Sequence, residues 1–348
     1  MFSTFALDTQ VIQKDLCTGC GACQGLCPYW GTQDGRTVCF FDCERTEGRC
    51  QSFCPRMPYD REALRNRFFD PADYDEDLGP FKGLYLVRAK DPAVREGAQH
   101  GGTVTALLKL AIEEGLIDAA VLNRTNAAGD PEGFLAESAE DLMAARGSSF
   151  RIAPTLATLN KALAEDKYKK IAVTGTACKA LATYKMLAKP MPDRDNNADN
   201  IALVIGLFCG WGLDWDGLKA LAEKYAGAEG VAHMDIPPSK FHILVITTKA
   251  GREISVDLDE VNPLVRNACK HCEDMTAEFA DISVGSGRSA DGWEVDKGWN
   301  ELVVRSAKGA ALLELAREKG VLEFKVLPEG AVEKLKRAAA GKRNKALK

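Results

Sequence analysis

Cysteine spacing constrains this 348-residue chain more than any other feature. Residues 17–28 read CTGCGACQGLCP, a C-x2-C-x2-C-x3-C-P run made by Cys17, Cys20, Cys23 and Cys27. Bacterial ferredoxins use this spacing to wrap a cuboidal iron–sulfur cluster in thiolates. Gly19 and Gly21 let the backbone pass close to the cluster, and Pro28 turns the chain away. A second quartet, Cys39, Cys43, Cys50 and Cys54, closes with the same C-x3-C-P pattern after a looser start. In two-cluster ferredoxins the fourth cysteine of each run ligates the other cluster. That rule assigns Cys17, Cys20, Cys23 and Cys54 to one 4Fe–4S cluster, and Cys27, Cys39, Cys43 and Cys50 to a second. Zinc is the competing occupant, and for the second quartet zinc or a single degenerate cluster stays open.

There are twelve cysteines in all, and the other four are Cys178, Cys209, Cys269 and Cys272. The N-terminus lacks the basic start and apolar run of a signal peptide. The most apolar stretch, from Ile201 to Leu213, is too short to span a membrane, which takes about 20 residues. Both point to a cytoplasmic protein, where thiols stay reduced and metal ligation outranks disulfides. A formal net charge of −5 argues against a nucleic-acid-binding face. The stretch from Lys334 to Lys348 departs from this balance, with seven basic residues and no acidic one. A solvated helix or disordered tail is the plain reading of it, and a docking site for an acidic partner is the alternative.

Beyond about Gly83, short apolar runs of buried-strand type alternate with amphipathic stretches. The runs are YLVRA (85–89), AAVLN (119–123), IAVTG (171–175) and ALVIGLF (202–208). In TVTALLKLAIEEGLI, Val104, Leu107, Leu108, Ala111 and Ile112 mark one helical face, and Gly115 gives a stop. FHILVITT and EISVDL read as an antiparallel hairpin. The pattern predicts a mixed α/β (α+β) domain rather than a plain doubly wound sheet. Cys178 and Cys209 stand just past two of the strands, where open α/β sheets place ligands. Each taken alone is a small buried apolar residue; with the orphan C-x-x-C pair Cys269 and Cys272, they complete a third set of four.

In their order along the chain, GGTVTALLKLAIEEGLIDAAVL, VTGTACKA, IGLFC and CKHCEDMTAEFADISVGSGRSADGW resemble the family of beta subunits of coenzyme F420-reducing hydrogenases and dehydrogenases. The similarity runs over roughly residues 83–325. It implies a flavoprotein domain that binds FAD and one 4Fe–4S cluster, the cluster held at the positions of Cys178, Cys209, Cys269 and Cys272. An N-terminal ferredoxin-like segment occurs in some members. The expected organisation is a ferredoxin-like segment with two 4Fe–4S clusters over 1–60, a linker over 61–82, the FAD and 4Fe–4S domain over 83–325, and a basic tail over 326–348.

Two glycine-bearing stretches are candidates for holding FAD. Gly101 and Gly102, followed by Thr103 and Thr105, open a helix whose N-terminus attracts phosphate. Asp281, Ser283, Gly285, Ser286, Gly287, Arg288, Gly292 and Trp293 offer small residues, hydroxyls and a cation for a pyrophosphate. Either stretch is also compatible with an ordinary turn; the resemblance makes both FAD contacts. A Rossmann GxGxxG fingerprint is absent.

A flavin beside iron–sulfur clusters converts hydride chemistry into one-electron traffic, so no covalent catalytic residue is expected. The resemblance implies coenzyme F420 as the hydride carrier and a redox partner: a hydrogenase, formate dehydrogenase or heterodisulfide-reductase-like subunit, or a ferredoxin. An electron-transfer beta subunit without F420 use is the alternative. The chain departs from the family pattern at His100, at PPSKF (237–241) and in an apparent insertion, EVDKGW, after Trp293. All three lie near stretches expected to frame the flavin.

Overall fold

Strand and helix positions follow the apolar pattern closely in the computed structural model, which describes residues 6–33, 35–41, 43, 45, 47–127, 129–237, 241–287 and 298–347. The N-terminal segment holds a small antiparallel hairpin, β1 (Trp30–Gln33) and β2 (Arg36–Cys39), and helix α1 (Arg61–Phe68) follows, capped by the Asp60 carboxylate.

The main body begins with β3 (Gly83–Ala89) and helix α2 (Thr103–Glu113). Strands β4 (Ala119–Thr125) and β5 (Pro131–Ala136), helix α3 (Thr155–Glu165), strand β6 (Ile171–Thr176), helix α4 (Ala177–Leu187) and strand β7 (Ile201–Leu207) continue it. Helix α5 (Trp215–Ala226) leads into a three-stranded antiparallel sheet of β8 (Val231–Asp235), β9 (Ile243–Thr248) and β10 (Glu253–Asp257). The chain then returns through β11 (Ile282–Ser286), β12 (Asn300–Val304), α6 (Ala307–Glu318), β13 (Leu322–Lys325) and α7 (Ala331–Lys345).

One eight-stranded sheet, ordered β13-β3-β12-β11-β7-β6-β4-β5, organises this body. Its centre, β11, β7, β6 and β4, is parallel, and the flanking pairs are antiparallel. The expected mixed sheet is therefore present, and β4, β6 and β7 are buried on both faces, which is why they read as apolar runs, whereas β11, ISVGS, does not. Helices α2 and α6 cover one face around Leu107, Leu108 and Leu312; α3 and α4 cover the other around Leu156, Leu159 and Ala180. Each fully buried leucine contributes about 1.5–3 kcal/mol of transfer free energy. The hairpin foreseen at 241–258 is β9–β10, whereas β11, read from the sequence as a polar glycine-bearing run, β8 and the edge strands β5 and β13 were not foreseen. These last are short and mixed in polarity, and β5 starts with proline, which an edge tolerates.

Two peripheral segments are fastened to this body. Cys20, Ala22 and Phe53 share one core with Leu156, Ala177 and Phe279. The Leu156 N–H donates to the Cys20 carbonyl (3.0 Å), and Asn160 Nδ2 donates to the carbonyls of Ala22 (3.1 Å) and Gln24 (2.7 Å). Gly21, at φ +84°, passes so near α3 that a Cβ there would stand 2.7 Å from the Pro154 carbonyl oxygen. The basic C-terminal stretch is likewise docked rather than solvated. In α7, Ala331, Leu335 and Ala339 form an i, i+4, i+8 stripe buried against Leu78, Leu84 and Val303. Lys336 pairs with Asp75 (2.6 Å) and Arg343 with Asp77 (3.3 Å).

Candidate functional site

The carboxyl ends of β6, β7 and β11 lie on one edge of the sheet, and thiols collect there. Cys178 is in the first turn of α4, directly after β6, with its sulfur 3.4 Å from the Thr176 hydroxyl. Cys209 follows β7. Cys269, on a short helical turn (Asn267–Lys270), and Cys272, just after it, belong to a connecting segment brought to the same edge because Leu213 bridges Arg151 on one side and Val265 on the other. This stitching points the Gly212 N–H at Cys269 Sγ (3.3 Å). Burial pushes the Cys209 thiol up to about 12; Lys342 opposes this, while Cys269, Cys178 and Cys272 add to it. Burial also raises Cys269 and Cys272, and each interacts with Cys178. The four sulfurs thus form one electrostatic group.

The N-terminal thiols fall into two further groups. Cys17, Cys20, Cys23 and Cys54 line a small cavity closed by Leu7 and Val11. Burial raises the Cys23 thiol, followed by Cys17, Cys20, Cys54 and Cys50. Cys54 is pushed up to about 11 by burial, and the backbone N–H groups of Arg56 and Met57 favour its thiolate. Cys50 is pushed up to about 11 by burial and next by Cys27, with Cys43 contributing less. Cys39 stands opposite Trp30 in the β1–β2 ladder. Trp30 Nε1 is buried with no acceptor at hydrogen-bond distance, yet close enough to Cys50 to favour its thiolate. Cys20 belongs to two neighbourhoods: burial raises it most, then Cys178 of the sheet-edge group, then Cys54.

Buried cations accompany these thiols. Lys179 is 1% exposed; its ammonium lies 3.3 Å from Asn123 Oδ1, near Cys178, Cys20 and Cys209. Lys185 is 6% exposed and donates to the carbonyls of Cys54 (2.6 Å) and Met57 (3.2 Å). Burial lowers both, Lys185 to about 8. Neither ammonium is held by a carboxylate among the described residues. An interior cation without a counter-charge is costly, so these sites suit an anionic occupant. Sequence reasoning missed Lys179, Lys185, Lys342 and Trp30, since a lone lysine or tryptophan gives no pattern of its own; the one usable signal was the closeness in sequence of Lys179 and Lys185 to Cys178 and of Trp30 to the cysteine runs, and Lys342 carried none.

The glycine-bearing stretches meet at Asn300, another residue that spacing did not pick out. Its Oδ1 accepts from the Thr103 hydroxyl (2.8 Å) and its Nδ2 donates to the Gly285 carbonyl (2.9 Å). Gly102, at φ +71°, is the N-cap of α2, and no side chain caps that helix. Thr105 is half-buried one turn in; Gly285 and Ser286 end β11, and Gly287 follows, its N–H donating to the Trp299 carbonyl (2.9 Å). Arg288, Gly292 and Trp293 lie outside the described residues, as do Pro238, Ser239 and Lys240 and most of the apparent insertion. His100 is placed 4.0 Å from the Asp235 carboxylate on β8.

Two expected cofactor contacts have hydrogen-bond partners within the protein. Asp281 is fully buried: its carboxylate accepts from the Val204 N–H (2.8 Å) and the Ser306 hydroxyl (2.6 Å). Ser283 is also fully buried; it donates to the Ala277 carbonyl (3.0 Å) and accepts from Arg305 Nε (2.7 Å). Both sit at the start of β11, away from its glycine end, and their oxygens are already engaged. Thr103 is 1% exposed, and its hydroxyl is committed to Asn300. Arg305 is itself buried and donates to Leu78, Pro80 and Thr276 carbonyls as well, tying the linker, the loop after Cys272 and the sheet together.

Comparison with known proteins agrees with this architecture. The family models for coenzyme F420 hydrogenase/dehydrogenase, beta subunit, match at residues 84–160 (N-terminal part) and 168–329 (C-terminal part). An F(420)H(2) dehydrogenase subunit of Methanosarcina mazei is 30% identical over 89% of this chain and 84% of its own. The coenzyme F420 hydrogenase beta subunit of Methanococcus voltae is 32% identical over 71% of this chain and 85% of its own. Among solved structures, a chain of the xenon-derivatised F420-reducing NiFe hydrogenase complex from Methanosarcina barkeri superposes with a TM-score of 0.71 at 27% identity, over 78% of this chain and 92% of that one. Fold and sequence together define a mixed α/β oxidoreductase subunit. The chain belongs to the family of coenzyme F420 hydrogenase and dehydrogenase beta subunits.

Proposed function

We propose that the chain is an iron–sulfur flavoprotein subunit that exchanges hydride with coenzyme F420, or a similar carrier, at FAD and passes single electrons through three 4Fe–4S clusters to a redox partner. The observation that carries this reading is the sorting of the thiols, most of them buried or half-buried, into three groups. Cys17, Cys20, Cys23 and Cys54 would hold the first cluster, Cys27, Cys39, Cys43 and Cys50 the second, and Cys178, Cys209, Cys269 and Cys272 the third. The donor set fits the group. Thiolates are favoured by N–H groups of Gly212, Arg56 and Met57; the Trp30 N–H has no acceptor at hydrogen-bond distance, and the ammoniums of Lys179 and Lys185, hydrogen-bonded to neutral oxygens, have no carboxylate partner among the described residues. The C-x2-C-x2-C-x3-C-P spacing of the first run also favours a cluster over zinc.

FAD would lie against the uncapped N-terminus of α2 and the glycine end of β11. There Gly101, Gly102 and Thr105 on one side and Gly285, Ser286 and Gly287 on the other give close backbone approach to a pyrophosphate, with Arg288, Gly292 and Trp293 next in the chain. When bound, a flavin supplies the step between two-electron hydride chemistry and one-electron transfer. The chain's own part is to hold Gly285 and Thr103 in register through Asn300, to bury the thiols from water, and to balance negative charge with lysines. We read the relatives' use of F420 onto this chain, with a redox subunit or ferredoxin as the one-electron partner.

The test is iron, sulfide and flavin content on anaerobically purified protein, followed by mixing with reduced F420. About twelve iron and one FAD per chain, with F420 oxidised on mixing, are expected. Bound flavin without F420 turnover would leave an electron-transfer subunit, and stoichiometric zinc without iron would refute the reading.

A further inference from the structure

The basic C-terminal stretch does more than pack against the linker. Ala331, Leu335 and Ala339 form the buried stripe of α7, and Lys342 continues that face one turn further. Lys342 is half-buried, and its ammonium donates to the carbonyl of Cys209 (2.7 Å) and the carbonyl of Asp274 (3.0 Å). Cys209 follows β7, whereas Asp274 is two residues beyond Cys272 on the separate loop that carries the C-x-x-C pair. One side chain thus bridges the two segments that supply three of the four sheet-edge thiols. The Asp274 carboxylate is turned the other way, accepting from the Thr276 and Glu278 N–H groups (3.0 Å each). At its hydrogen bonds, then, the Lys342 ammonium meets carbonyl oxygens rather than a carboxylate; its charge attracts first the thiolates of Cys209 and Cys272, then the Asp274 carboxylate and the Cys269 thiolate.

We propose that Lys342 is a positioning residue for the third centre, clamping the Cys209 and Cys269–Cys272 segments together and holding up the midpoint potential of whatever electron carrier those thiols bind. The physical basis is simple. Reduction adds a negative charge to the centre, and a fixed cation a few ångströms away stabilises the reduced form more than the oxidised one. Helix α7 is therefore part of the redox site although it carries no ligand. This inference rests on the assignment of a cluster to Cys178, Cys209, Cys269 and Cys272.

The experiment uses the full-length protein purified anaerobically, with Lys342→Gln, which keeps a donor for the two carbonyls but removes the charge, and Lys342→Arg, which keeps the charge. Redox titration followed by electron paramagnetic resonance, with iron content alongside, is the readout. In Lys342→Gln the signal removed by Cys269→Ser should shift to lower potential while the other two stay in place; Lys342→Arg should leave it close to wild type. If Lys342→Gln loses the third centre, retention of that centre at wild-type potential in Lys342→Arg supports the proposal, and its loss or displacement in Arg as well overturns it. An unshifted third signal in Lys342→Gln also overturns it. A wild-type protein with only about eight iron, unchanged by Cys269→Ser, would instead refute the third cluster itself, an outcome distinct from failure of the Lys342 role.

Discussion

Cys20, in the first cysteine run, and Cys178, at the start of α4, lie within electrostatic reach of each other across the seam between the N-terminal segment and the sheet. The first and third thiol groups are therefore neighbours, with Lys179 buried beside both. Two paramagnetic centres so placed should couple magnetically. The fully reduced protein is expected to give a broadened resonance spectrum, and Cys269→Ser should sharpen the remaining signal of the first centre. Strictly additive spectra would mean that the two groups hold no adjacent clusters.

The grouping of Cys54 with Cys17, Cys20 and Cys23 leads to a second expectation. Cys54→Ser and Cys17→Ser should remove the same centre, about four iron atoms, while Cys27→Ser should remove a different one. Iron analysis with resonance spectra on the three variants checks this. Loss of the same signal in Cys27→Ser and Cys17→Ser would show that each run holds its own cluster.

Arg305 should be among the most sensitive positions for folding. Its guanidinium serves Ser283, Leu78, Pro80 and Thr276 from a fully buried position. Arg305→Met strands those acceptors, each worth about 1–3 kcal/mol when buried unpaired. A loss of at least about 3 kcal/mol is expected, visible as a large fall in unfolding temperature. A near-neutral Arg305→Met would show that water reaches this hub.

The attachment of α7 should be acid-sensitive. Partial burial pushes the Asp75 carboxyl up, but the Lys336 ammonium and the N–H groups of Leu78 and Asp77 outweigh it and hold it below its ordinary range. A carboxyl depressed in the folded state adds stability above its unfolded pKa of about 3.9, and that stability is lost as pH falls through the lower folded value. The stability difference between wild type and Asp75→Asn should thus be constant from neutral pH down to about 5 and disappear in stronger acid. Unfolding curves of the two proteins across that range measure it; a difference that persists below pH ~2 would point to packing rather than charge.

What the sequence determined by itself is what is local. A run such as CTGCGACQGLCP places its thiols within one loop, and a strand such as IAVTG or a helix face such as Leu107–Leu108–Ala111 is set by periodicity over a few residues. So strands β3, β4, β6 and β7, the β9–β10 hairpin, the helix at Thr103 and the family pattern were legible. Tertiary structure alone decided what depends on which distant segments meet. It put Cys20 beside Cys178, gave Asp281 and Ser283 internal hydrogen-bond partners, buried Lys179 and Lys185 among thiols, and laid α7 so that Lys342 reaches Cys209 and Asp274. The reason is physical. Periodicity records which face of an element is apolar, but the charge, burial and hydrogen-bond partner of a polar side chain are properties of the neighbour it meets, and that neighbour is chosen only when the whole chain packs.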